Sequence, residues 1–340
     1  MKPGTTRFKG EILMSAEQGE CSAQGHRHIV AVGDLHGCYE TLCALLERIG
    51  CVQDASRYHP PESTLLVFLG DLIDRGPRSR ETVATVRRMV EAGDALCIAG
   101  NHEFNAVLYH TRDPEQPGEF VRRRTEKNRK QIAATLASYE GHADQWADDL
   151  AWFHSLPMAI EIDGLRCVHA CWDQDALSLL QRHSNAWYLP EQQWTEAGTE
   201  GSPLFDAIER ICKGPEATMP DGGCYHDKDG NPRFKARVAW WQLEPATWAD
   251  RFRLPKGVQG FDPEADCDAS PESVRNYAPE EPPVVFGHYW LSGRPSPLSP
   301  NAACLDYSAV LGGKLVAYHH EAGMQAIHPE RMLWVEARTS

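Results

Sequence analysis

Three short apolar segments near the start of the chain each run into a glycine followed by polar side chains that can bind ions or phosphate. His28–Val32 leads into Gly33-Asp34-Leu35-His36-Gly37. Val67–Leu69 leads into Gly70-Asp71-Leu72-Ile73-Asp74-Arg75-Gly76, and Ala95–Ala99 into Gly100-Asn101-His102-Glu103. Short continuous apolar runs stopped by glycine predict buried strands. The stretches between them carry helical spacing. Leu42, Leu45, Leu46 and Ile49 share a face over Tyr39–Ile49, with Gly50 as the stop. Pro77 opens a second helix over Arg78–Ala92, with Val83, Val86 and Val90 inward and Gly93 at its end. Strands alternating with helices predict an α/β (α+β) chain. If the strands are parallel neighbours, all three polar loops meet at one edge of the sheet, where ligands bind in open α/β sheets.

Two later strand ends bring further histidines. Met158–Ile162 and Leu165–Val168 form a hairpin around Asp163-Gly164, and the second strand delivers His169. Pro283–Phe286 delivers Gly287-His288; Ala302–Leu305 then reaches Asp306, and Gly312-Gly313 turns into Lys314–His319. Arg112–Lys130 reads as a solvated charged face, and Ile132–Leu156 as one helix with Trp146, Leu150 and Phe153 in the core. Residues 173–281 are less regular and rich in Trp, Pro and Gly, with a hairpin turning at Asp229-Gly230. They read as an insertion over the active-site edge that selects the substrate, with Trp240 and Trp241 as packing residues.

The formal net charge of −14 over 340 residues argues against general nucleic-acid binding, which rests on neutralising phosphates with Lys and Arg. Bound cations are a better attractor for an anionic substrate. No apolar run approaches a membrane span, and the first 28 residues are polar. The expectation is a cytoplasmic protein with no membrane association, a flexible tail over 1–28 and one domain over 29–340 that includes the insertion. Eleven cysteines without a C-x-x-C pair read as free thiols.

The strand ends collect Asp34, His36, Asp71, Asn101, His169 and His288. Mixed imidazole and oxygen donors suit manganese, iron or zinc better than calcium. Asp71 has two oxygens and can bridge two divalent ions, one completed by Asp34 and His36, the other by Asn101, His169 and His288. Two ions about 3.5–4 Å apart clamp a phosphate and generate a bridging hydroxide near neutral pH. His102 is placed to protonate the leaving oxygen, Asp74 to hold its other ring nitrogen, and Arg75 to fork onto two phosphate oxygens. A lone histidine is more often structural, so His26, His28, His59, His110, His142, His154, His319 and His320 stay outside this set. Cys167 and Cys171, beside His169, read as packing. The joint pattern of glycine plus ligand at successive strand ends carries the assignment.

GDLHG, GDLIDRG and GNHE, in that order, resemble the calcineurin-like metallophosphoesterases. The DRG and GNHE forms resemble the phosphoprotein-phosphatase branch and its bacterial relatives: bacterial serine/threonine phosphatases, symmetrical diadenosine tetraphosphatases and the phosphatase domain of polynucleotide kinase-phosphatases. VHACWD, FGH and LDYSAVLGGKLVAY fit the later motifs. The resemblance implies a central β-sandwich flanked by helices. It implies the same metal ligands, an acid pair of Asp74 and His102, and Arg75 on phosphate. It also implies a second phosphate-binding arginine between the last two metal histidines, for which both Arg233 and Arg237 stand. The expected function is dimetal-dependent hydrolysis of phosphate monoesters, on phosphoprotein or a small phosphate ester, with manganese as the first choice of ion. The alternatives are a nucleotide or dinucleoside-polyphosphate hydrolase and, in another class, a catalytically inactive metal- or phosphate-binding module. Such a module would not need His102 with Asp74.

Overall fold

All five residues of the Thr64–Phe68 strand are buried, as a strand covered on both faces requires. It pairs in parallel with His28–Val32 on one side and Ala95–Cys97 on the other. The three polar loops therefore leave the same edge of one sheet. The structure is a computed structural model that describes residues 12–14, 20–23, 28–182, 187–226, 230–254, 257–267 and 275–338. Beyond His28–Val32 the sheet continues antiparallel through Lys314–Glu321, which also pairs with Asp306–Tyr307 and Met332–Glu336.

The second sheet runs in the order Ile12–Met14, Glu20–Ala23, Ala159–Ile162, Leu165–Val168, Val284–Phe286, Ala302–Cys304. Its last three strands are parallel, so His169 and His288 also emerge at a common edge. The sheets are joined at Leu305, where the chain leaves Ala302–Cys304 and enters Asp306–Tyr307 of the first sheet. There the Leu305 N–H donates to Phe286 O. The result is a mixed α/β fold with two six-stranded sheets.

Local chemistry accounts for most element boundaries. Gly50 closes the Tyr39–Ile49 helix at φ 99°, a conformation open to glycine at little cost. Asp163 and Gly164 both take positive φ, 49° and 81°, as the tight turn between Ala159–Ile162 and Leu165–Val168 demands. In the Ser79–Glu91 helix, Met89 takes the fully buried place expected of Val90.

Two expectations need correction. The helix expected over Ile132–Leu156 is two, Glu126–Ser138 and Ala143–His154. Gly141 between them turns to φ 77°, which ends helical hydrogen bonding. The tail expected over 1–28 contains Ile12–Met14 and Glu20–Ala23, the latter in parallel register with Ala159–Ile162. At those positions the chain extends the sheet, satisfying backbone groups that an edge strand would leave unpaired.

Within 173–281, Glu216–Thr218, Lys235–Val238 and Phe252–Arg253 make a three-stranded antiparallel sheet. Tyr225–His226 pairs with Pro232–Arg233; residues 227–229 of the turn expected there lie outside the described residues. Trp240 and Trp241 pack on Phe286, with ring centroids 4.8 and 5.1 Å apart, and both are buried. They tie the insertion to the strand that carries His288. Ten of the eleven cysteines, all but Cys21, are free thiols, and no helix among the described residues is long and apolar enough to cross a membrane.

Phe68 is fully buried in the central strand. Phe68→Ala should destabilise the protein by about 3–5 kcal/mol, because truncation leaves a cavity that close packing cannot refill. Urea unfolding monitored by fluorescence reads this; a loss under about 1 kcal/mol would place Phe68 outside the cooperative core.

Candidate active site

Five residues at the strand ends hold backbone conformations that non-glycine residues seldom adopt: His36, Asp71, Asp74, Arg75 and His288, with φ of 43°, 51°, 69°, 72° and 74°. Such strain persists only when surrounding bonds over-determine it. Glu103 supplies several. One carboxylate oxygen accepts from the N–H groups of Asp71 and Gly100, at 2.8 and 2.9 Å. The other accepts from Leu72 and Ile73, at 2.8 and 3.4 Å. The main-chain oxygen of Asp71 in turn accepts from Leu35 and His36, at 3.1 and 2.7 Å. Three loops are thereby locked together. The glycines let carboxylates lie against backbone: a Cβ at Gly100 would overlap Asp71, and one at Gly287 would overlap Asp34.

Asp71 is central to the ligand candidates. Its Oδ2 lies 3.4 Å from His36 Nε2 and 3.8 Å from His102 Nε2, and its Oδ1 lies 3.4 Å from His169 Nε2. Potential ligand atoms fall into two groups, His36–Asp71–His102 and Asp71–His169–His288, each within 4.8 Å. Asp71 belongs to both. Asn101 Oδ1 is 3.2 Å from His169 Nε2. The Asp34 carboxylate turns to the His288 N–H, at 3.1 and 3.3 Å, and belongs to neither group.

The donor set fits divalent cations. His36 Nδ1 donates to Ile73 O at 2.9 Å and His169 Nδ1 to Leu69 O at 2.7 Å. These bonds turn Nε2 of each ring toward the cluster, the orientation metal-binding imidazoles need. His169 Nε2 faces two oxygens, and His288 Nε2 is buried with no hydrogen-bond partner among the described residues. Burial holds the His36 imidazole down at about 3 and depresses His288 as well. His169 is pushed up to about 10: burial opposes its proton, but Asp71 outweighs burial. Burial would raise Asp71, yet the imidazoles of His169, His102 and His36 hold it well below the usual carboxylate range. Asp34 is raised by burial and by the nearby charges of Asp306 and Asp71. A cation would relieve that repulsion.

His102 meets Asp74 as expected. Its Nδ1–H donates to Asp74 Oδ2 at 2.6 Å. Thr135 then fixes the carboxylate, donating to Asp74 Oδ1 at 2.6 Å and accepting from the Asp74 N–H at 2.8 Å. All three residues are buried. Arg75 Nη1 donates to His36 Nε2 at 2.7 Å, and its guanidinium lies 4.0 Å from the Trp290 ring centroid. Trp290 stacks on His36, centroids 5.8 Å apart and planes 28° apart, while Asp306 accepts from the Trp290 N–H at 2.7 Å. Arg237 lines a cavity of about 400 Å³ together with Tyr289 and Trp290. Arg233 is exposed on the two-stranded ribbon and lies outside that lining.

The sequence reading assigned no role to Glu103, Thr135, Trp290 or Asp306. Glu103 stood inside a motif, and its place just after a strand end was the available signal. Thr135 and Trp290 had none, because their partners lie far away in the chain.

The model of the calcineurin-like phosphoesterase family matches residues 27–206. An asymmetrical bis(5′-nucleosyl)-tetraphosphatase of Halalkalibacterium halodurans is 42% identical over 71 residues, which are 21% of this chain and 29% of that one. The chain thus matches less than a third of that relative's length. A symmetrical bis(5′-nucleosyl)-tetraphosphatase of Aromatoleum aromaticum is 26% identical over 305 residues, covering 86% of this chain and 93% of that one. Among solved structures, a protein serine/threonine phosphatase from Saccharomyces cerevisiae overlays with a TM-score of 0.47 and 14% identity, covering 95% of this chain and 85% of that one.

Glu103→Gln should loosen the loops that carry Asp71 and Asn101. The amide keeps the shape but turns an NH₂ toward two of the four N–H groups, at roughly 1–3 kcal/mol for each donor left without an acceptor. Urea unfolding of the metal-free proteins checks this, and an unchanged midpoint would show that the loops hold without the carboxylate.

Proposed function

The chain belongs to the calcineurin-like phosphoesterase family, and from that premise we propose that it hydrolyses phosphate esters with two divalent ions bound at the strand ends. One observation carries the reading: Asp71 is shared by two buried groups of potential ligands. Asp34, His36 and Asp71 would hold one ion; Asp71, Asn101, His169 and His288 would hold the other. Manganese is the first choice, and iron or zinc also suits this donor set. Bound there, the ions would supply charge neutralisation for a phosphate and an acidified water as nucleophile.

The protein's own groups do the rest. With Nδ1–H held by Asp74, a protonated His102 presents Nε2–H to the leaving oxygen, and Thr135 keeps Asp74 oriented. Arg75, freed from His36 Nε2 when that nitrogen takes an ion, has a guanidinium suited to bridging two phosphate oxygens. Arg237 is our choice over Arg233 for the second phosphate arginine, because it lines the cavity with Tyr289 and Trp290 and its charge acts on His288. In this reading 29–340 is one domain, and 173–281 selects the substrate. Phosphate monoesters, on phosphoprotein or a small molecule, are one substrate class. Nucleotides and dinucleoside polyphosphates are the second, favoured by the likeness over 86% of the chain to a relative named as a symmetrical tetraphosphatase.

Reconstitution in excess manganese should load two ions per chain, and chelation should abolish hydrolysis. Full activity with a single ion by elemental analysis would overturn the dinuclear reading.

His102→Asn tests the acid. A nitrophenolate leaves without help, whereas a serine alkoxide needs a proton, so the change should cost phosphoserine hydrolysis on the order of 10²–10⁴-fold more than 4-nitrophenyl phosphate hydrolysis. Metal content should stay at the wild-type level. Equal losses on the two substrates, in steps limited by chemistry, would remove His102 from that role.

A further inference from the structure

The insertion sheet sets three charged residues in one row. Glu216 is the register partner of Arg237, and Arg237 is the register partner of Arg253. Their neighbours Ala217, Ala236, Val238 and Phe252 are buried on the opposite face, so the row shares the face that lines the cavity. Tyr225, Tyr289 and Trp290 complete its walls. At about 400 Å³ the cavity is within the range of small-ligand sites.

Two arginines directly opposite one another on adjacent strands repel. In a chain with 48 Asp and Glu against 34 Lys and Arg, carboxylate partners are plentiful. Arg57 pairs with Asp94, Arg87 with Asp149 and Arg166 with Glu161. Arg237 and Arg253 make no ion pair among the described residues, even with Glu216 alongside, and Arg237 Nε is buried without a hydrogen-bond partner. The cavity adjoins the catalytic end of the fold. Trp290, one of its walls, stacks on His36 beneath Arg75, and the Arg237 charge acts on His288.

We propose that this row is a subsite for a phosphate beyond the one hydrolysed, with Arg253 as its specificity-determining residue. The preferred substrates are then esters of di- or polyphosphates, such as nucleoside diphosphates and longer, over esters of a lone phosphate. The inference rests on the phosphoesterase reading above and deepens it. Arg75 and Arg237 reach the phosphate that reacts. A second phosphate, one bridging oxygen further along, meets Arg237 and Arg253 together, and its charge relieves their repulsion. A lone phosphate monoester leaves Arg253 unused.

The test compares wild type, Arg253→Ala and Arg253→Lys, all loaded with manganese. Arg253 is exposed, so its truncation spares the core. The ratio of kcat/KM for ADP to that for 4-nitrophenyl phosphate should fall roughly 10–100-fold in Arg253→Ala, mainly through KM, as expected for loss of a charge-assisted hydrogen bond. Arg253→Lys should recover part of it. Calorimetric Kd values for α,β-methylene-ADP should weaken by a similar factor, while those for AMP change less than about twofold. If wild type hydrolyses 4-nitrophenyl phosphate but Arg253→Ala changes both substrates alike, the subsite is overturned and the phosphoesterase reading stands. If wild type hydrolyses neither, the phosphoesterase reading fails and the calorimetry alone judges the subsite: selective weakening of the diphosphate analogue supports it, and equal affinities in the variants refute it.

Discussion

Four backbone N–H groups converge on the Glu103 carboxylate, and the geometry of the candidate site follows from that convergence. The donors come from two loops that belong to adjacent parallel strands. A buried carboxylate is costly unless its lone pairs are met, and here the loops meet them by turning their amides inward. That turn places Asp71 and Asp74 at positive φ and brings their side chains to opposite sides of His102. Asp71 faces its Nε2 and Asp74 binds its Nδ1. The strain and the hydrogen bonds sustain each other.

The second constraint is electrostatic. Asp34, Asp71, Asp74 and Asp306 are all buried near the same sheet edge, with His36, His169 and His288 among them. In a medium of low dielectric such a cluster is stable only if opposite charge is present. The imidazoles that could supply protons are divided by their surroundings: His36 and His288 are held neutral by burial, and His169 is held charged by Asp71. The neutral His36 ring, with Nδ1 fixed on Ile73 O and Nε2 facing the Asp71 carboxylate, has the arrangement a cation site requires. In a chain of net charge −14, a site of this sign would attract phosphate through bound cations and nearby arginines, the role proposed above for Arg75, Arg237 and Arg253.

The insertion reaches this edge through aromatic packing. Trp240 and Trp241 lie against Phe286 and Tyr289, so the strand that presents His288 also anchors the sheet that presents Arg237 and Arg253. Trp290 then joins the two regions, with His36 on its face and Arg75 above it. The proposed substrate-selecting region and the candidate site therefore share one wall.

The sequence by itself determined what depends on neighbours along the chain. Apolar runs and helical spacing located the His28–Val32 strand and the Tyr39–Ile49 helix, and the Asp163-Gly164 turn followed from residues tolerant of positive φ. The grouping of His36, Asp71, His169 and His288 was also legible, because each follows a strand end and parallel strands share an edge. The tertiary structure decided whatever rests on contacts between distant residues. Thr135 holds Asp74 across 61 positions, and Asp34 meets the His288 N–H across 254. No local pattern encodes either. Arg233 and Arg237 are equivalent in composition and spacing, yet one lies on an exposed ribbon and the other in a cavity. Strand register and the packing of Trp240 separate them. Both are settled by which surfaces exclude water together, a property of the folded chain and of no single segment.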